Sequence, residues 1–486
     1  MRVNLAIRLD HSSSTPLFEQ LARHLELSIE SGRLEPGQML PSSREFARTL
    51  LLARGTVVRA YGQLIGKGLI EAIKGKGLIV NAPPPLDYST QSAQMHELML
   101  VDDLSANEIL GSAQQPLPVE DVTKAAVPQA LLPVKRWREL IIKNCKQLGR
   151  TDEIDDLGAL DLRQQVCRFL RATRGLNCSP EQISVYTNTD QALDTIARLL
   201  IKPNDTAVIE EPGYIGVSKI FAAAGARVIA NGIDYGGMMV ENLDALATSP
   251  KVLYVTPVSQ DPTGIVMSEE RQDSIIQWAK RNDCLIVEDG WDTDFCHGRP
   301  AVPCMQQKAA EQIIYLYSFW KLLFPLSNAC FLVVPQRLVP ALRRLRAMIN
   351  RPPISIELSA LKDLLAAGEI DNLVAKLQKS YRKRRQALIY SLSMAFEKQI
   401  QIAPMSGGTH VLVSFQFAAE KQRVLDAGAE CGLKLISLDE YYFDGRVTNQ
   451  YIVFFTNVSP ATVGAQAQLF KERLLGADYM AQRALL

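Results

Sequence analysis

Residues 313–326 read IIYLYSFWKLLFPL, and this stretch decides how most of the chain is interpreted. Six residues with the apolar and aromatic character of a buried strand are followed, three residues later, by a lone lysine, Lys321. Such a lysine is either an exposed residue of a loop or an amine that faces a cleft at the edge of a sheet. The sequence around it has to decide between these two interpretations.

Strand-like apolar runs alternate with amphipathic helices around that stretch. Helices are predicted at 191–201, 269–281 and 340–349. The alternation predicts an α/β fold with a mostly parallel, doubly wound sheet that is covered on both faces. The predicted strands are ISVY (183–186), AVIEE (207–211), RVIANG (227–232), VLYVTP (252–257), CLIVED (284–289), IIYLYS (313–318) and ACFLVVP (329–335).

The composition of the chain argues against several classes of protein. The chain has 486 residues, a formal net charge of +1, five histidines and eight scattered cysteines without a CxxC pair. A zinc site or a disulfide framework is therefore not expected, and neither is any other metal site. The sequence contains no apolar run long enough for a transmembrane helix and no signal-peptide core, so we expect a cytoplasmic protein with reduced thiols.

Four regions follow from the changes in pattern along the chain. Residues 1–80 are basic and rich in short helices, and residues 81–130 contain the PPP of positions 83–85 and read as a linker. Residues 131–365 carry the strand–helix alternation. Residues 366–486 begin with a long charged helix and continue with alternating strands, which predicts a smaller α+β lobe.

The N-terminal region has the plan of a winged helix-turn-helix. Ser42 and Glu45 have capping-box spacing, so a helix should begin there, and a second helix should carry Val57 and Tyr61 on its apolar face and end near Gly66. The runs LIEAI and GLIV then form a hairpin. In such a module the second helix enters the major groove and the wing touches the backbone or the minor groove.

The polar residues of this region suit that role. Lysine and arginine outnumber aspartate and glutamate by eleven to seven in residues 1–80, and cations near phosphates supply affinity that does not depend on base sequence. The other interpretation is a small helical domain with an ordinary basic surface. The candidate DNA-contacting residues are Ser42, Arg44, Arg54, Thr56, Arg59 and the two wing residues Lys74 and Lys76.

Residues 15–80 resemble the GntR-type winged helix, on the segments TPLFEQLARHLELSIESGRLEPGQMLPSSREFA, RGTVVRAYGQLIGKGLIE and GKGLIV. The family usually has a serine where this chain has Ala53, which removes one phosphate contact. Residues from 131 onward resemble the fold-type-I aminotransferases, on the segments that begin at Asp156, Glu210, Thr256 and Ile286 and on the opening stretch. The combination resembles the MocR-like regulators.

That resemblance implies a pyridoxal phosphate site and assigns its residues. Lys321 would form an imine with the cofactor, and Asp289 would face the pyridine nitrogen. Tyr214 of EEPGY would cover the ring, and Ser318 and Thr189 would contact the phosphate.

The phosphate-binding positions depart from the family. The chain reads TNTD at 187–190, where the family has a small turn without a carboxylate, and Asn328 replaces the usual arginine. Trp320 replaces a common serine, and Trp291 replaces the tyrosine that contacts the ring hydroxyl. Two interpretations of Lys321 stay open: an imine with the cofactor, or an ion pair with Asp289 in a cleft that is empty or takes another ligand.

Catalysis is not expected, and we assign no catalytic residue. Aminotransferases hold the substrate carboxylate with an arginine near the C-terminus, but no arginine lies between Val447 and Glu472. The resemblance therefore implies a homodimeric regulator that binds a double-stranded DNA operator and senses a small molecule related to amino acids or vitamin B6. The alternatives are an aminotransferase with an appended DNA-binding module, or a regulator that keeps only the fold and binds no cofactor.

Overall fold

The computed structural model of the chain describes residues 9, 15–30, 34, 37–67, 69–73, 77–81, 99–100, 126–146, 154–246, 248–297, 303–349, 355–403 and 407–476. Most of the predicted linker, residues 82–98 and 101–125, lies outside this set, as do the wing residues Lys74 and Lys76.

Three helices and a hairpin form the N-terminal module, in the predicted order. They are α1 (Leu17–Glu30), α2 (Ser43–Leu50), α3 (Arg54–Gly66) and the antiparallel strands β1 (Ile70–Ile73) and β2 (Gly77–Val80). The Ser42 side chain accepts a hydrogen bond from the Glu45 backbone N–H at 3.2 Å, so α2 begins where its cap predicts. Val57 and Leu64 of α3 are fully buried against α1, which confirms the winged helix.

A nine-stranded mixed sheet forms the core of the large domain. Its strands are β3 (Met99–Leu100), β6 (Ile183–Tyr186), β7 (Thr206–Glu211), β8 (Arg227–Asp234), β9 (Gly237–Met238), β10 (Val252–Val255), β11 (Leu285–Asp289), β12 (Ile313–Ser318) and β13 (Cys330–Val333). The order is β3-β8-β7-β10-β11-β12-β13-β6, with β9 paired to β8; β3, from the predicted linker, is an edge strand.

The central strands are parallel, as predicted. β8, β7, β10, β11 and β12 run in one direction, and only β13 reverses between β12 and β6. Every residue of β7, β10 and β11 is buried, because helices cover both faces of the sheet. A short hairpin, β4 (Ile154–Asp155) and β5 (Gly158–Ala159), precedes the second helix of the domain.

Helices on both faces complete the large domain. They are α4 (Val134–Cys145), α5 (Leu160–Arg174), α6 (Thr189–Leu200), α7 (Ile215–Ala223), α8 (Glu241–Asp244), α9 (Glu269–Arg281), α10 (Met305–Lys308), α11 (Trp320–Leu323), α12 (Val339–Ile349) and α13 (Ile356–Ala366). Within the described residues, none of the helices of the protein combines the length and the apolar character needed to cross a bilayer.

The C-terminal lobe is α+β. Its long helix α14 (Glu369–Phe396) leads into a four-stranded antiparallel sheet in the order β14-β15-β17-β16, covered by α15 and α16. The strands are β14 (Ile400–Ile402), β15 (His410–Phe415), β16 (Leu435–Ser437) and β17 (Gln450–Phe454), and the helices are α15 (Lys421–Glu430) and α16 (Val463–Leu475).

The N-terminal module touches this lobe. The hydroxyl of Tyr390 on α14 lies 3.4 Å from Nδ1 of His24 on α1. The lobe therefore contacts the winged helix as well as the large domain.

Candidate functional site

A cavity of about 130 Å³ opens at the carboxyl ends of the parallel strands. Parallel strands end at one edge of a sheet, so the loops after β6, β7, β11 and β12 meet there. The residues that line the cavity are Asn188, Thr189, Asp190, Tyr214, Tyr254, Asp261, Asp289, Gly290, Trp291, Asp292, Asp294, Ser318, Trp320, Lys321, Phe324 and Asn328.

All five residues that the resemblance assigned to a cofactor line this cavity. They come from four separate segments, at strand ends, in a loop and at helix starts, and are Lys321, Asp289, Tyr214, Ser318 and Thr189. The structure thus brings the set together, while its role in binding stays a prediction.

Lys321 is a buried amine in a cleft and not an exposed residue of a loop. It lies in the first turn of α11, just after β12, and its side chain is 4% exposed. Nζ donates a hydrogen bond to Thr409 Oγ1 at 3.2 Å and lies 3.5 Å from Asp292 Oδ1. It also lies 3.7 Å from the ring centre of Trp291 and 4.6 Å from that of Trp320. Carboxylate and indole faces both stabilise an ammonium group.

The alternative prediction of an ion pair between Lys321 and Asp289 is wrong, because the carboxylate beside Lys321 is that of Asp292. Asp292 has φ of +50° in the turn after β11, a left-handed conformation that aspartate tolerates better than most residues. Its Oδ2 accepts hydrogen bonds from the backbone N–H of Thr409 at 3.1 Å and from the Thr409 hydroxyl at 3.0 Å. The turn and the Thr409 contacts together hold the Asp292 carboxylate beside the lysine.

Asp289 is held instead by the neighbouring strand. Its Oδ2 accepts a hydrogen bond of 2.6 Å from the Tyr254 hydroxyl of β10. The pKa of Asp289 is raised to about 6, chiefly by burial; the hydrogen bonds from Tyr254 and from the Trp291 backbone oppose the rise, and the nearby charge of Asp292 contributes to it. The carboxylate is therefore fixed at the base of the cavity and ionised above about that pH.

Tyr214 lines the cavity and reaches the start of α6. Its hydroxyl donates to Asp190 Oδ1 at 2.8 Å. A Cβ at Gly216 would come within 2.3 Å of the Tyr214 ring, so only glycine leaves room for this ring position.

One of the backbone N–H groups at the start of α6 already has a hydrogen-bond partner within the protein. The Asn188 side chain caps the helix by accepting from the Gln191 backbone N–H at 2.8 Å. Asp190 adds a carboxylate to the first turn. Ser318 Oγ donates to the Ala329 carbonyl at 3.4 Å and accepts from the Trp320 backbone N–H at 3.3 Å, so this hydroxyl also has partners within the protein.

Two important residues were missed by the sequence reasoning. Asp292 stands in the quoted segment IVEDGWDTDF but had no assigned role, and only a turn conformation distinguishes it from Asp289. Thr409 comes from the C-terminal lobe, 88 positions after Lys321, and no local pattern points to it. Burial lowers the pKa of His410 to about 4, so the ring is neutral at pH 7, and its Nε2 donates to the Pro262 carbonyl at 2.6 Å.

The candidate DNA-contacting residues lie around the turn between α2 and α3. Ser42, Arg44, Arg54 and Arg59 are exposed, and Thr56 is half-buried. Arg54 Nε lies 3.5 Å from Ser43 Oγ, and the Arg59 guanidinium lies 3.9 Å from the ring centre of Phe18. Both guanidinium groups thus have a contact within the module, while both arginines stay exposed.

Comparison with known proteins matches both parts of the chain. Residues 101–436 match the family described as aminotransferase class I and II, and residues 17–80 match the family described as bacterial regulatory proteins, gntR family. The "Uncharacterized HTH-type transcriptional regulator YhdI" of Bacillus subtilis (strain 168) is 26% identical over 95% of this chain and 97% of its own length. The "Probable rhizopine catabolism regulatory protein MocR" of Rhizobium meliloti is 28% identical over 94% of this chain and 93% of its own length.

A solved structure supports the fold of the larger part. The crystal structure of a multiple substrate aminotransferase from Thermococcus profundus is similar with a TM-score of 0.67, 19% identity, and coverage of 78% of this chain and 98% of that chain. At that identity the likeness is one of fold.

Proposed function

This chain belongs to the aminotransferase class I and II family and carries a gntR-family domain at its N-terminus, and we propose on that basis that it is a DNA-binding transcriptional regulator whose larger part senses a small molecule. The resemblance to MocR-like regulators is confirmed by relatives that match over almost the whole chain. The proposal places the protein in the cytoplasm, with access to chromosomal DNA.

The observation that carries the proposal is the pair of exposed arginines in the first half of α3. Arg54 and Arg59 lie on the helix that enters the major groove in winged helix-turn-helix proteins, and both are exposed. Arginine can bind phosphate or read guanine edges with two hydrogen bonds. An exposed basic face on the recognition helix is what operator binding requires.

The test is binding of the full chain to DNA, measured by fluorescence anisotropy at several salt concentrations. The DNA from upstream of its own gene is compared with random DNA of the same length. Arg54→Ala and Arg59→Ala should each weaken binding, and each lost phosphate contact should reduce the slope of log K against log salt by about 0.9. Arg138→Ala, which removes an exposed arginine from α4, is the matched control. Equal affinity for both DNAs would refute the proposal.

We propose that the regulator works as a homodimer. Fold-type-I proteins build their cleft between two subunits, and two winged helices in one dimer would bind repeated half-sites whose spacing follows the dimer. Sedimentation of the full chain at micromolar concentration tests this, and a monomer at concentrations that saturate the operator would contradict it.

The C-terminal lobe offers a route from the cavity to the DNA-binding module. It supplies Thr409 to Lys321, and through Tyr390 of α14 it contacts His24 of α1. A ligand that changes how the lobe sits against the large domain would therefore also act on the winged helix. It can shift DNA affinity only by binding one arrangement better than the other.

The residues present fit the ring of pyridoxal phosphate and not its phosphate. Asp289 could face a pyridine nitrogen, Tyr214 could cover a ring, and Lys321 lines the same cavity. At the phosphate end, Asp190 places a negative charge at the helix N-terminus, and Asn328 stands where an arginine would be needed. The cofactor therefore does not fit the cavity as a whole, and no step of the proposed function depends on it.

We also propose that the protein does not catalyse transamination. The arginines nearest to the expected clamp position are engaged elsewhere: Arg446 Nε lies 2.6 Å from Asp444, and Arg473 Nε lies 3.4 Å from Glu430. Neither lines the cavity. Without a clamp, an amino acid would lack the two-point hold on its carboxylate that orients it for reaction.

A further inference from the structure

We propose that the cavity binds a small organic ammonium ligand that carries neither phosphate nor carboxylate, such as a short diamine. This inference rests on the proposed sensing function and names the chemical class of the effector. Three features carry it: the balance of charge, the aromatic walls, and a buried carboxylate oxygen without a hydrogen bond.

The described walls of the cavity contain five carboxylates and one cation. Asp294 is neutralised from outside the cavity by Arg174, with which it forms a buried ion pair, and Asp292 lies beside Lys321. For Asp190 and Asp289 the described residues show no ion pair, and Asp261 adds a further carboxylate to the lining. Low-dielectric walls of one sign concentrate ligands of the opposite sign.

Aromatic rings supply a second means of holding a cation. Trp291, Trp320, Tyr214, Tyr254 and Phe324 all line the cavity. The two indole rings already hold one ammonium, since Lys321 Nζ lies 3.7 and 4.6 Å from their centres. Carboxylates beside aromatic faces are the usual means by which proteins recognise organic ammonium groups.

Asp292 has capacity left for a further donor. Its side chain is fully buried in the cavity wall, yet Oδ1 accepts no hydrogen bond among the described residues. Its contact with Lys321 Nζ, at 3.5 Å, is longer than a charge-assisted hydrogen bond. A buried carboxylate oxygen in this state favours a donor that enters from the cavity.

The same walls disfavour anions. The helix start that would hold a phosphate carries Asp190 and is capped by Asn188, so a dianion there would meet repulsion and fewer free N–H donors. Lys321 is the lone cation of the described lining, and Asp292 already accompanies it. A carboxylate group on the ligand would therefore find no counter-ion of its own.

The size of the cavity limits the ligand. A volume of about 130 Å³ is close to that of engineered cavities that hold benzene, so a ligand of about six non-hydrogen atoms fits. A four-carbon diamine has this size, and Asp292 and Asp190, both in the lining, are the carboxylates proposed to hold its two ammonium groups. Tyr214, which donates to Asp190 at 2.8 Å, would then contact the bound ligand.

The experiment is calorimetric titration of the full chain with 1,4-diaminobutane at neutral pH. We expect a Kd of about 0.1–1 mM for a ligand of this size, with a change in tryptophan fluorescence because Trp291 and Trp320 line the cavity. Butane-1,4-diol and succinate, which have the same length without the ammonium groups, should not bind. Asp190→Asn should weaken diamine binding by about fivefold, and Asp194→Asn, an exposed change on the same helix outside the cavity, should not.

Pyridoxal phosphate is the ligand that the inference predicts will not bind. Incubation with it should give no visible imine band, and reduction with borohydride followed by desalting should leave no cofactor attached to the protein. A visible band before reduction, with cofactor that borohydride fixes to the wild-type protein and not to Lys321→Ala, would overturn the inference, as would equal binding of the diamine and the diol. If these ligand experiments overturn the inference but the protein still prefers operator DNA to random DNA, the regulatory proposal stands. If the protein shows no such preference, the regulatory proposal itself is refuted.

Discussion

The ion pair between Lys321 and Asp292 allows a quantitative test of how the cavity is built. Replacing Lys321 by methionine keeps most of the side-chain volume and removes the charge. The Asp292 side chain, which is fully buried, would then keep its hydrogen bonds from Thr409 but lose its counter-ion. The result is a buried carboxylate without a cation.

The expected loss of stability follows from the geometry. At a separation of 3.5 Å and an effective dielectric constant of about 20, two unit charges attract by about 5 kcal/mol. Part of this attraction is offset by the desolvation of both groups. Breaking one partner of a buried pair usually costs about 3–5 kcal/mol, so Lys321→Met should lower the free energy of unfolding of the large domain by that amount.

Removing both charges should restore most of the loss. Neutral replacements of buried ion pairs are often close to wild type in stability, so Lys321→Met combined with Asp292→Asn should lie within about 2 kcal/mol of the wild-type protein. Lys321→Met combined with Asp289→Asn should not recover, because Asp289 is held by Tyr254 and not by the lysine. Urea unfolding, followed by circular dichroism, measures all four proteins.

Two outcomes would refute the reasoning. The first is a loss below about 1 kcal/mol for Lys321→Met, the range of exposed ion pairs. The second is recovery with Asp289→Asn and none with Asp292→Asn, which would make Asp289 the electrostatic partner of the lysine after all.

Two further predictions concern other parts of the chain. Burial raises the pKa of Glu288 to about 7, so the folded state keeps a proton that the unfolded state releases near pH 4.5, and the free energy of unfolding should fall as the pH rises between these values. Glu288→Gln should flatten this decline, as measured by thermal melts over that pH range. Parallel pH profiles for the two proteins would contradict the assignment. Ser42 caps α2 by accepting a hydrogen bond from the Glu45 backbone N–H at 3.2 Å. Ser42→Ala should therefore lower the stability of this helix by about 1 kcal/mol and speed amide exchange in the first turn of α2 about fivefold. Ser42→Asn, which keeps a capping side chain, should leave exchange near wild type.

Local patterns were enough to predict the winged helix. The cap residue Ser42 specifies the start of α2, and the helical spacing of Val57 and Tyr61 identifies the buried face of α3. These signals operate within a few residues, where hydrogen bonding and side-chain spacing follow directly from the order of the amino acids.

Local patterns also predicted the cavity residues that lie at the ends of strands. Asp289 and Lys321 each stand at or just after the end of an apolar run that forms a strand, β11 and β12. Neighbouring parallel strands end at one edge of the sheet. The sequence was therefore sufficient to place both residues in one cleft without knowledge of their contacts.

The partner of Lys321 could not be predicted in this way. Asp289 and Asp292 lie three positions apart, and a left-handed turn at Asp292 decides which carboxylate reaches the amine. Thr409, which fixes that carboxylate, comes from the other lobe. Periodicity and spacing describe an element and its faces, whereas the pairing of charges inside a cleft depends on how separate elements pack, and that is decided by the tertiary structure alone.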